Sequence, residues 1–192
     1  MKNMTSCAKA ILCVGGVLLS VAAHAAPDDN RAMGIYVEAG NTPQSGRSTN
    51  SLTAGLTLPM GTNRLIWGGD VGFYWDFFLS GWRAPKPTGN AKDNYAQIGA
   101  IANWRYRFGE GRSPWFVEAG IGGTLMDHLY RTENGREFST AFQFTELIGA
   151  GLSFGAQREH EVSVRLQHFS NGHIKEPNPG ENFVRVRYLY RF

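Results

Sequence analysis

The amino-acid sequence predicts an all-β protein, an eight-stranded antiparallel β-barrel of the outer-membrane kind behind a secretory leader. Three observations predict it. Eight stretches beyond residue 26 alternate apolar with polar or small residues at a period of two. Glycine (24) and aromatic side chains (12 Phe, 7 Tyr, 5 Trp) are plentiful among 192 residues, while charged residues make up only 18%. That balance suits strands joined by tight turns and excludes both a disordered chain and a helical bundle. No stretch after the leader approaches the roughly 20 apolar residues of a spanning helix.

The leader is expected over residues 1–25. Lys2 and Lys9 precede an apolar run from Ala10 to Ala23, and Ala23-His24-Ala25 offers small residues at the cleavage positions. Residues 26–192 then form a single barrel domain. Cys7 and Cys13 leave with the leader, so no thiol remains for a disulfide, a nucleophile or a zinc site. Losing Lys2 and Lys9 leaves 17 basic against 16 acidic residues. A near-neutral protein does not point to nucleic acid as a partner.

The strands follow in order. Met33, Ile35, Val37 and Ala39 form the first apolar series, alternating with Gly34, Tyr36, Glu38 and Gly40. Leu52 to Leu58 form the second and Leu65 to Phe77 the third. Ala96 to Phe108 form the fourth, with Gln97, Asn103, Arg105 and Arg107 on the other face. Trp115 to Leu125, Phe142 to Phe154 and Val162 to Leu166 follow. Val184, Val186, Tyr188, Tyr190 and Phe192 close the chain, interleaved with Arg185, Arg187 and Arg191. The gaps run about 10, 5, 15, 6, 11, 6 and 11 residues, long outer loops alternating with short periplasmic turns. The terminal Tyr188-Leu189-Tyr190-Arg191-Phe192 resembles the signature read by the outer-membrane assembly machinery.

On lumen parity lie Asp70, Asp76, Glu118, Arg105 and Arg107, which read as a salt-bridged interior filling a narrow barrel. His128 and His173 fall in outer loops and His160 in a periplasmic turn. No cluster has zinc-ligand spacing and no acidic loop matches an EF-hand, so no metal is expected. Lys86, Lys92 and Lys175 read as solvated loop charges.

One stretch departs from an inert scaffold. In Arg165-Leu166-Gln167-His168-Phe169-Ser170-Asn171 the alternation of Val162, Val164 and Leu166 carries His168 and Ser170 onto the lipid-facing side, near the outer end of the strand. These are either ordinary rim residues or a base and a nucleophile one pleat apart. Side chains at i and i+2 lie about 6–7 Å apart at Cβ, and a serine needs such a base to become nucleophilic. Asn171 follows and is a candidate donor to an oxyanion.

The segment His168-Phe169-Ser170-Asn171, followed by Pro177-Asn178-Pro179-Gly180 and a last strand ending in Phe192, resembles the lipid A 3-O-deacylase (PagL) family. The resemblance spans the mature chain in length and strand number. It implies one eight-stranded outer-membrane barrel that hydrolyses the ester at position 3 of lipid A. The released product is a 3-hydroxy fatty acid, and a Ser-His-Glu triad on the barrel's outer surface does the work. His168 would be the base and Ser170 the nucleophile. The ungapped position of the family's Glu holds Asn182, and the carboxylate stands one place earlier at Glu181. Parity favours Asn182 on the lipid face, and Asn orients a catalytic His in other enzymes. Pro177, Pro179 and Gly180 make the approach irregular, which puts Glu181 first. Counting back across the turn near residues 155–160 sets Glu146 opposite His168, ranked between the two.

The expected function is therefore a serine esterase acting on lipid A in the outer membrane, without metal or organic cofactor. Its partners are lipopolysaccharide, the surrounding lipid and the assembly machinery, and a homodimer is compatible with such a barrel. The alternative is a non-enzymatic small barrel with a structural or adhesive role.

Overall fold

The computed structural model describes residues 32–43, 47–133 and 135–192. The expected leader at 1–25 lies outside the described residues. Eight strands close into one antiparallel barrel in chain order. They are β1 (Gly34–Asn41), β2 (Asn50–Ile66), β3 (Gly69–Pro85), β4 (Lys92–Arg107), β5 (Trp115–Met126), β6 (Phe142–Phe154), β7 (His160–Ser170) and β8 (Glu181–Arg191). No helix among the described residues is long and apolar enough to cross a membrane, which says nothing of strands.

Successive strand residues point to opposite faces, and here the faces differ in kind. In β7, Val164 is 52% exposed on the outside while Arg165 is 0% exposed in the lumen. Leu79, Ile98, Ile121, Ile148, Leu166 and Val186 likewise face outward. The middle of the lumen is ionic. Arg187 meets Asp76 at 2.8 Å and Glu38 at 2.9 Å, and Arg105 meets Glu118 and Glu161 at 2.8 Å each. Charges removed from water need such partners. Asp76, Glu118, Arg105 and Arg107 lie inside as parity requires, and Asp70 is half-buried beside Asn63.

One end of the barrel carries the connections 42–49, 86–91, 127–141 and 171–180, and is called the loop end here. Its lumen is filled largely by rings, with buried polar groups such as Thr49 and Glu181 bonded to Tyr130 among them. Trp82, Tyr95, Met126, Tyr130, Phe138, Phe169 and Phe183 form a buried cluster, with Trp82 ring centroids 4.9 Å from Phe169 and 4.5 Å from Phe183. The cluster backs directly onto the inner faces of β7 and β8.

Three expectations change. The series from Leu65 to Phe77 is not one strand, because Trp67 (φ 50°) and Gly68 (φ 74°) turn the chain between β2 and β3. Two adjacent left-handed residues make the hairpin turn whose twist matches antiparallel strands. The third gap is also short, 86–91, because β3 and β4 run on in register to Pro85 and Lys92. His160 opens β7 and does not sit in a turn.

Candidate active site

The register of β5 to β8 sets the site. Ile121, Glu146, His168 and Asn182 pair side by side across four strands. All four share a parity, which places three polar groups in a row beside Ile121 on the outer wall. One pleat further from the loops the row is Ile148, Leu166 and Val184. One pleat nearer the loops Ser170 faces Phe144. A groove of about 440 Å³ is lined by Glu146, Ile148, Leu166, His168, Asn182 and Val184, among others.

His168 Nδ1 lies 2.7 Å from Asn182 Oδ1. A carbonyl oxygen only accepts, so this nitrogen carries the hydrogen and donates. The ring's Nε2 is then left with a lone pair, the form a general base needs. Ser170 stands one pleat away on the same face. Gly180 closes the opposite side. A Cβ there would come within 2.7 Å of His168 Cε1 and 3.2 Å of Nε2, and its φ of +63° is left-handed. Only glycine suits both conditions.

The loop that supplies Gly180 is fastened from outside β7 and β8. Arg136 Nη1 donates to the Gly180 carbonyl at 2.7 Å, and Ser139 Oγ donates to the Lys175 carbonyl at 2.7 Å. Asn171 belongs to this fastening. Its Nδ2 donates to Ser139 Oγ at 2.9 Å and to Lys175 O at 2.7 Å, and its backbone N–H goes to Asn178 Oδ1 at 2.9 Å. Asn171 is 1% exposed, so the structure does not present it as a free oxyanion donor. Its parity is the reason, since it follows outward Ser170 and turns inward.

Glu181 is also not brought to His168. It pairs with inward Phe169 and is 1% exposed inside the barrel. There it accepts the Tyr130 hydroxyl at 2.9 Å and the Asn182 N–H at 3.2 Å, and lies 3.8 Å from Arg136 Nη1. Burial pushes the Tyr130 phenol above its ordinary range, and the Glu181 carboxylate adds to the shift. It therefore stays a donor. Strand parity extends to the first residue of β8, which overrides the irregular approach through Pro177 and Pro179. Glu146 does stand beside His168, on the flank opposite Asn182.

The other described histidines stay apart. His128 pairs with Asp127, His173 with Glu176, and His160 with Tyr188. Among the described residues no three His, Cys, Asp or Glu side chains are placed to hold a metal ion. The supporting residues Tyr130, Arg136 and Ser139 escaped sequence reasoning. They lie in the non-periodic 127–141 connection, and nothing local marks contacts made over 30 residues away.

Residues 50–191 match the family model described as lipid A 3-O-deacylase (PagL). The chain belongs to this family. The lipid A deacylase PagL of Bordetella bronchiseptica is 38% identical over 96 residues, 50% of this chain and 50% of that protein, so the match spans half the length of that relative. The lipid A deacylase PagL of Pseudomonas aeruginosa is 28% identical over 154 residues, 78% of this chain and 81% of that one. A crystal structure of the outer membrane enzyme PagL shares the fold. Its TM-score is 0.69 at 24% identity, covering 83% of this chain and 99% of the other.

Proposed function

We propose that this PagL-family barrel is an outer-membrane lipid A 3-O-deacylase working as a serine esterase. The observation that carries this is His168, which lines a largely apolar groove with its Nδ1–H fixed on Asn182 Oδ1 at 2.7 Å, and Ser170 one pleat away on the same face. An acyl chain lying along Ile148, Leu166 and Val184 would bring its ester to the polar row.

Ser170 Oγ attacks the ester carbonyl carbon while His168 Nε2 takes the hydroxyl proton. Collapse of the tetrahedral intermediate expels the sugar alkoxide, which leaves with that proton. Water then attacks the acyl-serine with His168 again as base, and a 3-hydroxy fatty acid departs. Asn182 is the third member, holding the imidazole in its Nδ1–H tautomer, as a neutral amide does in other His-dependent sites. Glu181 supports this arrangement from inside the barrel. Delivery to the membrane follows cleavage of residues 1–25, with the assembly machinery reading the strand that ends at Phe192.

Lipid A mass spectra from cells expressing wild type, His168→Ala and Ser170→Ala test the reading. Loss of one 3-hydroxyacyl chain with wild type alone supports it. Unchanged lipid in all three overturns it in favour of a non-enzymatic barrel, and mass gained elsewhere marks acyl transfer instead.

A further inference from the structure

Four carboxylates stand on β5–β8, and three of them, Glu118, Glu161 and Glu181, are buried in the lumen. Glu146 alone faces outward. Its outward neighbours along β6 are Phe142, Phe144, Ile148, Ala150, Leu152 and Phe154, a wall made for hydrocarbon. An ionisable group on a lipid-facing wall is unfavourable and is a functional candidate by default, with its partner to be named. Its register partners are Ile121 on β5 and His168 on β7. Directly opposite residues bring Cβ atoms to about 4.5–5.5 Å, so the carboxylate has one polar side chain across the strand, the imidazole.

Asn182 occupies the other flank of His168, and an amide leaves a need unmet. It fixes the ring but carries no charge to balance the imidazolium that forms when His168 takes the Ser170 proton. Apart from Gln167, whose side chain is buried, the rest of the groove beside that ring is apolar. The charged groups around His168 are Glu146 from β6, Glu181 behind β8, Arg136 against Gly180, and Lys175, His173 and Glu176 in the 171–180 connection. Among these, Glu146 is the anion that shares the outer face and the row of the ring.

We propose that Glu146 is the charge-balancing partner of His168, so that orientation by Asn182 and neutralisation by Glu146 are divided between two strands. This rests on the serine-esterase reading. Glu146 acts through His168 and does not touch the ester, which makes it a positioning residue.

The test is a double-mutant cycle on the full barrel folded in detergent micelles, with lipid A as substrate and fatty-acid release as readout. Glu146→Gln should lower kcat about 10–100-fold at unchanged KM, with heat-modifiable gel migration as in wild type. Asn182→Glu restores a carboxylate from the opposite flank. It should raise kcat at least about tenfold more in the Glu146→Gln background than in wild type, a non-additivity that a packing role on β6 would not produce. A folded Glu146→Gln protein with wild-type kcat, or an equal effect of Asn182→Glu in both backgrounds, overturns the proposal while leaving the esterase standing. A folded wild type that releases no fatty acid overturns the esterase reading itself, and this proposal with it.

Discussion

Strand β7 carries a histidine at each end of the same outward face, His160 at the turn end and His168 at the loop end. Both have Nδ1 engaged, His160 with the Tyr188 hydroxyl at 2.8 Å and His168 with Asn182 Oδ1 at 2.7 Å. Their surroundings then diverge. His160 lies among aromatic rings, with centroids 5.3 Å from Phe154 and 5.4 Å from Tyr190, and the residue two further on is Val162. His168 has Ser170 at that position, Gly180 against its free edge and Glu146 across the strand. A hydroxyl partner can give or take a hydrogen, so Tyr188 fixes no tautomer, whereas an amide oxygen does. Strand, face and residue type are shared, so chemistry is set by the neighbours. His160 reads as a member of an interfacial aromatic band.

The comparison breaks most easily at the rings themselves. His168→Ala should lower fatty-acid release by about 10⁴-fold or more, and His160→Ala should stay within about twofold; equal losses would make both histidines structural. The Nδ1 partners come next. Asn182→Ala should cost about 10–1000-fold in kcat, with Tyr188→Phe near wild type in the same assay. Gly180→Ala sets a methyl against the His168 edge and strains a left-handed φ. About 100-fold in kcat is expected from displacing a positioned base, with gel migration unchanged as the sign that the barrel survives. Tyr130→Phe should matter least to turnover, within a few fold. It removes a buried donor to Glu181 and should lower stability by about 1–3 kcal/mol, read from a denaturant midpoint.

Period-two alternation made the barrel legible, along with the outward placement of His168, Ser170, Glu146 and Asn182, because a pleated strand offers only two faces. Turn chemistry was harder. Trp67 sits inside an unbroken alternation, and its φ of 50° next to Gly68 shows only in the folded chain. Glu181 was misplaced because two prolines and a glycine before it suggested an irregular entry, yet β8 is regular from its first residue. Asn171 was legible as a polar neighbour of Ser170 but not as a loop fastener, since Ser139 and Lys175 reach it through connections without periodicity. Contacts between loops are set by closure of the whole barrel, and no window of sequence contains them.

The filled lumen has a consequence for permeability. Arg105, Arg165 and Arg187 lock onto acidic partners at mid-height, and the rings around Trp82 seal the loop end. Among the described residues, side chains thus fill the lumen at two levels, which is not how a solute channel is built. Work is then left to the outer wall, where the groove beside His168 meets the surrounding lipid.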